Sequence, residues 1–145
     1  MSEFKIEVEV LEDGQIPHKA HKTDAGFDLF ATRDVYVAFG QIIKHPLNIK
    51  LNLPKGTYAQ ITSKSGLGSK GLLVYAGIID ESYRGIPHVV CTNLNDNPGL
   101  IKIEKGQKLA QLVMHSYSSE YYMEQVEHVS EDTERGSGGF GSSGL

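Results

Sequence analysis

The stretch "AGIIDESYRG", Ala76 to Gly85, is an apolar run that ends on Asp80 and then sets Tyr83 and Arg84 in a turn closed by Gly85. A carboxylate with an ordinary pKa of about 3.9 is ionised at neutral pH and can accept a proton from water. The same residues also read as a turn with solvated charges. "ITSKSGLGSKG", Ile61 to Gly71, joins the Ser65 hydroxyl and the backbone N–H groups near Gly66 to the cation of Lys64. Such a corner can hold phosphate oxygens, although a Ser-Gly turn between lysines is also an ordinary loop. In "KGQKLAQLVMH", Lys105 to His115, Gln111 stands among Leu109, Leu112 and Val113 and either donates to an oxygen or faces solvent. In "AGFDLFA", Ala25 to Ala31, Asp28 falls between Phe27 and Leu29, where a period of two turns it outward as a surface acid. "ERGSGGFGSSGL", residues 134 to 145, has the composition of a disordered tail. Arg135 and Phe140 are superfluous in such a tail but suit a flap closing over an anionic, ring-bearing ligand.

The elements that must position these residues read as short strands. "FKIEVEV" puts Phe4, Ile6, Val8 and Val10 on one face, "DVYVAF" does so with Val35, Val37 and Phe39, and "NIKLNL" with Ile49, Leu51 and Leu53. Turn signals recur at Asp13-Gly14, Pro54-Lys55-Gly56, Asn97-Pro98-Gly99 and Lys105-Gly106. No 3.6-residue pattern is sustained, and one short helix is expected near Leu67 to Lys70. Many strands and almost no helix predict an all-β sandwich or barrel. The expected organisation is a single domain over residues 1–130 and a glycine-rich tail over 131–145. "GLGSKG" and "GSGGFG" both match G-x-G-x-x-G, but neither leaves a strand to open a full helix, so neither is a dinucleotide fingerprint.

Bulk properties exclude several classes. A net charge of -4 over 145 residues gives no broad electrostatic footprint for nucleic acid. No apolar run is long enough to cross a membrane, and the start "MSEFKIEVEV" lacks a signal peptide's apolar stretch, so a protein that is not secreted is expected. The lone Cys91 forms no internal disulfide, fits a reducing compartment, and reads as a small core residue. His18, His21, His45, His88, His115 and His128 show no ligand spacing, and no zinc site is expected.

Taken in order, the five stretches resemble the five motifs of the homotrimeric dUTPase family, the dUTP diphosphatases, from Ala25 to Gly144. The resemblance implies a jelly-roll-like β-barrel and hydrolysis of dUTP to dUMP and diphosphate, which keeps uracil out of DNA and supplies dUMP for dTTP synthesis. It implies that Asp80 activates the water that attacks the α-phosphorus. Mg²⁺ would be held largely through water, with Asp28 in its outer shell. Lys64, Ser65, Gly66 and Gln111 would contact phosphates, Tyr83 would pack on the deoxyribose, and the backbone of Gly77, Ile78 and Ile79 would read uracil. Phe140 would stack on the base, Arg135 would pair with the γ-phosphate, and Gly141, Ser142 and Ser143 would wrap the phosphates. The family implies a homotrimer with sites shared between subunits, in the cytoplasm, the nucleus or, for a viral protein, the host cytoplasm. A regulatory protein partner stays open.

Lys64 and Lys108 stand where the family usually has arginine, which loses the planar bidentate fork. Ser63 stands where proline is common, and Ser82 replaces a second acid. Two other readings compete: a dCTP deaminase of related fold, and a dUTPase-like nucleotide-binding regulatory module.

Overall fold

The computed structural model of the chain describes residues 3–142 and 144. Eleven strands and one helical turn follow one another: β1 (Glu7–Val10), β2 (Gly26–Phe30), β3 (Val35–Ala38), β4 (Ile42–Pro46), β5 (Ile49–Asn52), β6 (Thr57–Thr62), α1 (Ser65–Gly68), β7 (Leu72–Tyr75), β8 (Ile78–Ile79), β9 (His88–Asn93), β10 (Leu100–Ile103) and β11 (Lys108–Ser116). The strands pair antiparallel in four sheets, ordered β2-β11-β6-β8, β4-β9-β7, β1-β5 and β10-β3. The all-β, jelly-roll-like expectation is met, although no closed ring of hydrogen-bonded strands forms among the described residues. No helix among them is long and apolar enough to cross a membrane.

Strand alternation predicts the core well where a strand packs one face inward. Val35 and Val37 of β3, and Ile49 and Leu51 of β5 with Leu53 beyond it, are buried together with Leu29, Leu72 and Val89. Cys91 lies among them, and burial pushes its thiol up to about 11, so it stays protonated. The alternation fails at strand ends. Phe39 follows the last residue of β3, ahead of the turn at Gly40, and is 56% exposed. Phe4, ahead of β1, is also exposed. The helix starts two residues earlier than expected, at Ser65.

One buried histidine ties β4 to the loop after β2. His45 is 1% exposed, and its Nε2 accepts the backbone N–H of Thr32 at 2.9 Å. The proton therefore sits on Nδ1, which has no partner among the described residues. Burial, with Arg33 and His88 nearby, lowers the His45 pKa from 6.5 to about 4. Between those values the unfolded chain binds a proton that the folded chain refuses. Stability should therefore fall as pH drops from 6.5 towards 4, by a total of about 3 kcal/mol. Urea midpoints across that window should show the slope in the wild type and a flatter line in His45→Gln. An unchanged slope in the variant would clear His45 of the effect.

Candidate active site

The first group of candidate residues forms where β11 lies between β2 and β6. Gln111 stands opposite Asp28 on one side and Thr62 on the other. Past Thr62 the chain leaves β6, and Gln111 Nε2 donates to the Ser63 carbonyl at 2.9 Å, holding the start of the Ser63–Lys64 loop. Ser63 Oγ in turn accepts the Val74 N–H at 3.0 Å. Gln111 thus faces protein rather than solvent. It also explains Gly26, where a Cβ would come within 2.5 Å of Gln111 Oε1.

Asp28 is buried, against the expectation of a surface acid. Its Oδ1 bonds Lys64 Nζ, and its Oδ2 lies 3.2 Å from Lys108 Nζ. Burial pushes the carboxyl pKa up, but the two ammonium groups outweigh it and hold the group below its ordinary value. One anion between two cations leaves a net positive cluster. Lys108 reaches it from a bulge in β11, where the register with β2 shifts between Lys108 and Ala110. Beside the cluster, the Ser65, Gly66 and Leu67 N–H groups open α1 and have no acceptor within the turn.

The second group surrounds β8. β7 pairs with β9 whereas β8 pairs with β6, so the chain must change sheets at Ala76 and Gly77. It does so through two successive positive φ angles, 53° and 100°. The Gly77 carbonyl accepts the Ile61 N–H at 2.7 Å, and a Cβ at Gly77 would lie 2.4 Å from the Ile61 oxygen. Only glycine meets both conditions. Asp80 follows β8 and is exposed; its carbonyl accepts the Tyr83 N–H at 3.0 Å and closes a turn. The Tyr83 ring folds over Gly85, where any Cβ would meet its hydroxyl at 2.4 Å, and Tyr83 Oη donates to the Ile86 carbonyl at 3.3 Å. A cleft of about 260 Å³ results, lined by Gly77, Ile78, Asp80, Tyr83, Ile86 and Val90 among others.

The two groups share β6 but lie on its opposite edges. Among its described residues the tail joins neither. Arg135 Nε donates to the Gly138 carbonyl at 2.8 Å, Ser142 N–H to Gly139 at 3.1 Å, and Phe140 is fully exposed at a φ of 50°. Gly141 sits in the same irregular segment, and Ser143 lies outside the described residues. In the sequence Lys108 stands only as a departure from the family's usual arginine. The available signal was that Lys64 and Lys108 depart in the same way, as two partners of one acid would.

No group of three His, Cys, Asp or Glu side chains suited to a metal occurs among the described residues. Asp28 is ionised, and each of its oxygens keeps a lone pair after meeting an ammonium group. Two adjacent cations oppose direct binding of a divalent ion, so the arrangement fits contact with Mg²⁺ through water only.

Comparison with known proteins matches these features. The dUTPase family model covers residues 12–144. The deoxyuridine 5'-triphosphate nucleotidohydrolase of Clostridium tetani is 38% identical over 99% of both chains. That of Gloeothece citriformis is 40% identical over 98% of both. The Pol polyprotein of an ovine maedi visna related virus is 40% identical over 90% of this chain, which spans only 12% of that polyprotein. Among solved structures, a Staphylococcus bacteriophage 80alpha dUTPase variant with dUpNHpp superposes with a TM-score of 0.89 at 28% identity, covering 98% of this chain and 99% of the other. A phage phi11 dUTPase variant, solved with regard to coordination of a structural Mg(II) ion, gives 0.77 at 27% identity, over 86% and 97%. The matches, the five motifs and the strand architecture agree: this chain belongs to the dUTPase family.

Proposed function

We propose that this chain hydrolyses dUTP to dUMP and diphosphate by water attack at the α-phosphorus, with Asp80 as the base. The observation that carries this reading is the cleft at β8, with an exposed carboxylate at Asp80 and an aromatic plate at Tyr83. β8 is the edge strand of its sheet, so Ile78 and Ile79 offer backbone groups on their unpaired side to read uracil. Tyr83 packs against the deoxyribose and leaves an added 2′-hydroxyl without a partner. Lys64, Ser65, Gly66 and Gln111 bind phosphate oxygens, with Lys108 adding charge through the shared Asp28. Little covalent work falls to the protein; positioning and charge neutralisation carry the reaction. Bound Mg²⁺ would neutralise developing phosphate charge, with Asp28 ordering its water shell.

The tail completes the site. Arg135 meets the γ-phosphate, Phe140 stacks on uracil, and Gly141, Ser142 and Ser143 wrap the phosphates. A homotrimer would assemble each site from residues that one chain keeps on separate elements. Residues 1–130 act as the body and 131–145 as the closing flap. The cytoplasm, the nucleus or a host cytoplasm suits the single reduced Cys91. The relatives' name, triphosphate nucleotidohydrolase, favours diphosphate release over deamination.

The test is pyrophosphate release from dUTP, UTP, dTTP and dCTP side by side, with and without Mg²⁺. Release from dUTP alone, stimulated by Mg²⁺, is expected. Ammonia release from dCTP, or no release from any of the four, would overturn the reading.

A further inference from the structure

Asp80 is placed chiefly by its backbone. Its carboxylate makes no hydrogen bond among the described residues, and the Tyr117 hydroxyl feels its charge without being bonded to it. On its N-terminal side the pairing of Ile79 with Ala59 holds the chain. On its C-terminal side the next residue, Glu81, does so in two ways. Glu81 Oε1 accepts the Gly56 N–H at 2.5 Å, at the turn into β6, and lies 3.4 Å from the Tyr117 hydroxyl just beyond β11. Its carbonyl accepts from Arg84 at 2.7 Å, and the same guanidinium reaches Asn52 Oδ1 of β5 at 2.8 Å.

The anchor is held on its other side as well. Gly56 has a φ of 76°, and its carbonyl accepts the Tyr117 N–H at 2.9 Å. Partial desolvation, followed by the Glu81 and Asp80 carboxylates, holds the Tyr117 hydroxyl above its ordinary pKa, so it stays a donor. The Glu81 carboxylate adds a charge-assisted bond to a part-buried backbone N–H.

We propose that Glu81 is a positioning residue for Asp80, clasping the Asp80 turn to the ends of β6 and β11. The proposal rests on the reading of Asp80 as the base. A displacement of about 1 Å in a reacting group can cost roughly 10²-fold in rate. The clasp therefore acts chiefly on kcat: of the groups proposed to bind nucleotide, Tyr83 stands in the clasped turn, and its ring keeps its own bond to the Ile86 carbonyl.

The test compares Glu81→Ala, Glu81→Asp and Glu81→Gln with the wild type in dUTP turnover, thermal melting and hydrogen exchange at the Gly56 amide. Glu81→Ala and the shorter Glu81→Asp should lower kcat by about 10- to 100-fold with KM within about threefold. Both should speed exchange at Gly56. Glu81→Gln still accepts the Gly56 N–H and should restore both protection and most of kcat. Unchanged kcat in Glu81→Ala and Glu81→Asp would overturn the proposal. So would losses in all three that track only the fraction of folded protein. A wild type that releases no pyrophosphate would instead sink the assignment of Asp80, while Gly56 exchange would still report whether the clasp exists.

Discussion

Asp80→Asn should bind nucleotide as the wild type does and turn it over at least about 10²-fold more slowly, the low end for a positioned base. Asparagine matches the shape of the carboxylate, and Asp80 is exposed, so the exchange neither opens a cavity nor strands a buried charge. It removes only the ability to take a proton from water. The residues proposed to hold phosphate stand on β11 and on the turn that follows β6, and are untouched. Calorimetric titration with dUpNHpp should therefore give a Kd close to that of the wild type, while single-turnover kinetics with dUTP show the deficit. Turnover near that of the wild type would remove Asp80 from its role. A Kd that weakened in step with kcat would make Asp80 a binding group.

Truncation before Arg135 should be equally costly to catalysis and nearly silent in stability. The last strand ends at Ser116, and the described hydrogen bonds of Arg135 and Ser142 stay inside the tail. Removing the segment thus exposes no core residue, and the thermal midpoint should move by no more than a few degrees. Catalysis loses a guanidinium directed at developing phosphate charge, and a single such contact is worth about 10²-fold or more in kcat. The measurement is kcat/KM for dUTP beside a melting curve of the same preparation. Full activity in the truncated chain would reduce the tail to ballast.

The parts of the fold that could be read from sequence are those governed by local period. Val35 and Val37, and Ile49, Leu51 and Leu53, alternate inward because each strand covers the core with one face. The turn glycines Gly56, Gly99 and Gly106 were legible for the same local reason, and each adopts a positive φ, whereas the constraint on Gly77 comes from Ile61 of a neighbouring strand. Asp28 was not, because its burial is made by Lys64, 36 residues away, and by Lys108 across the sheet. Lys108 reaches Asp28 from a bulge, where Leu109 and Ala110 are both buried and the alternation breaks, so a strict period of two does not put Lys108 beside Asp28. The role of Glu81 was hidden likewise, because its partner is a backbone N–H and no residue type announces that.

β11 carries one more consequence. Its nine residues span roughly 30 Å, with Lys108 at the start and Tyr117 just past the end. The chain then runs from 117 to 135 without strand or helix, a tether that reaches at most about 60 Å when extended. That reach is about twice the length of β11, so a tail closing as proposed would have slack. On the proposed closure, capture of Arg135 and Phe140 would be set by effective concentration, which falls as roughly the −3/2 power of tether length. Residues inserted between Glu120 and Glu134 would slow closure gradually, as the dilution of a captive reagent does, whereas a rigid lid would fail abruptly.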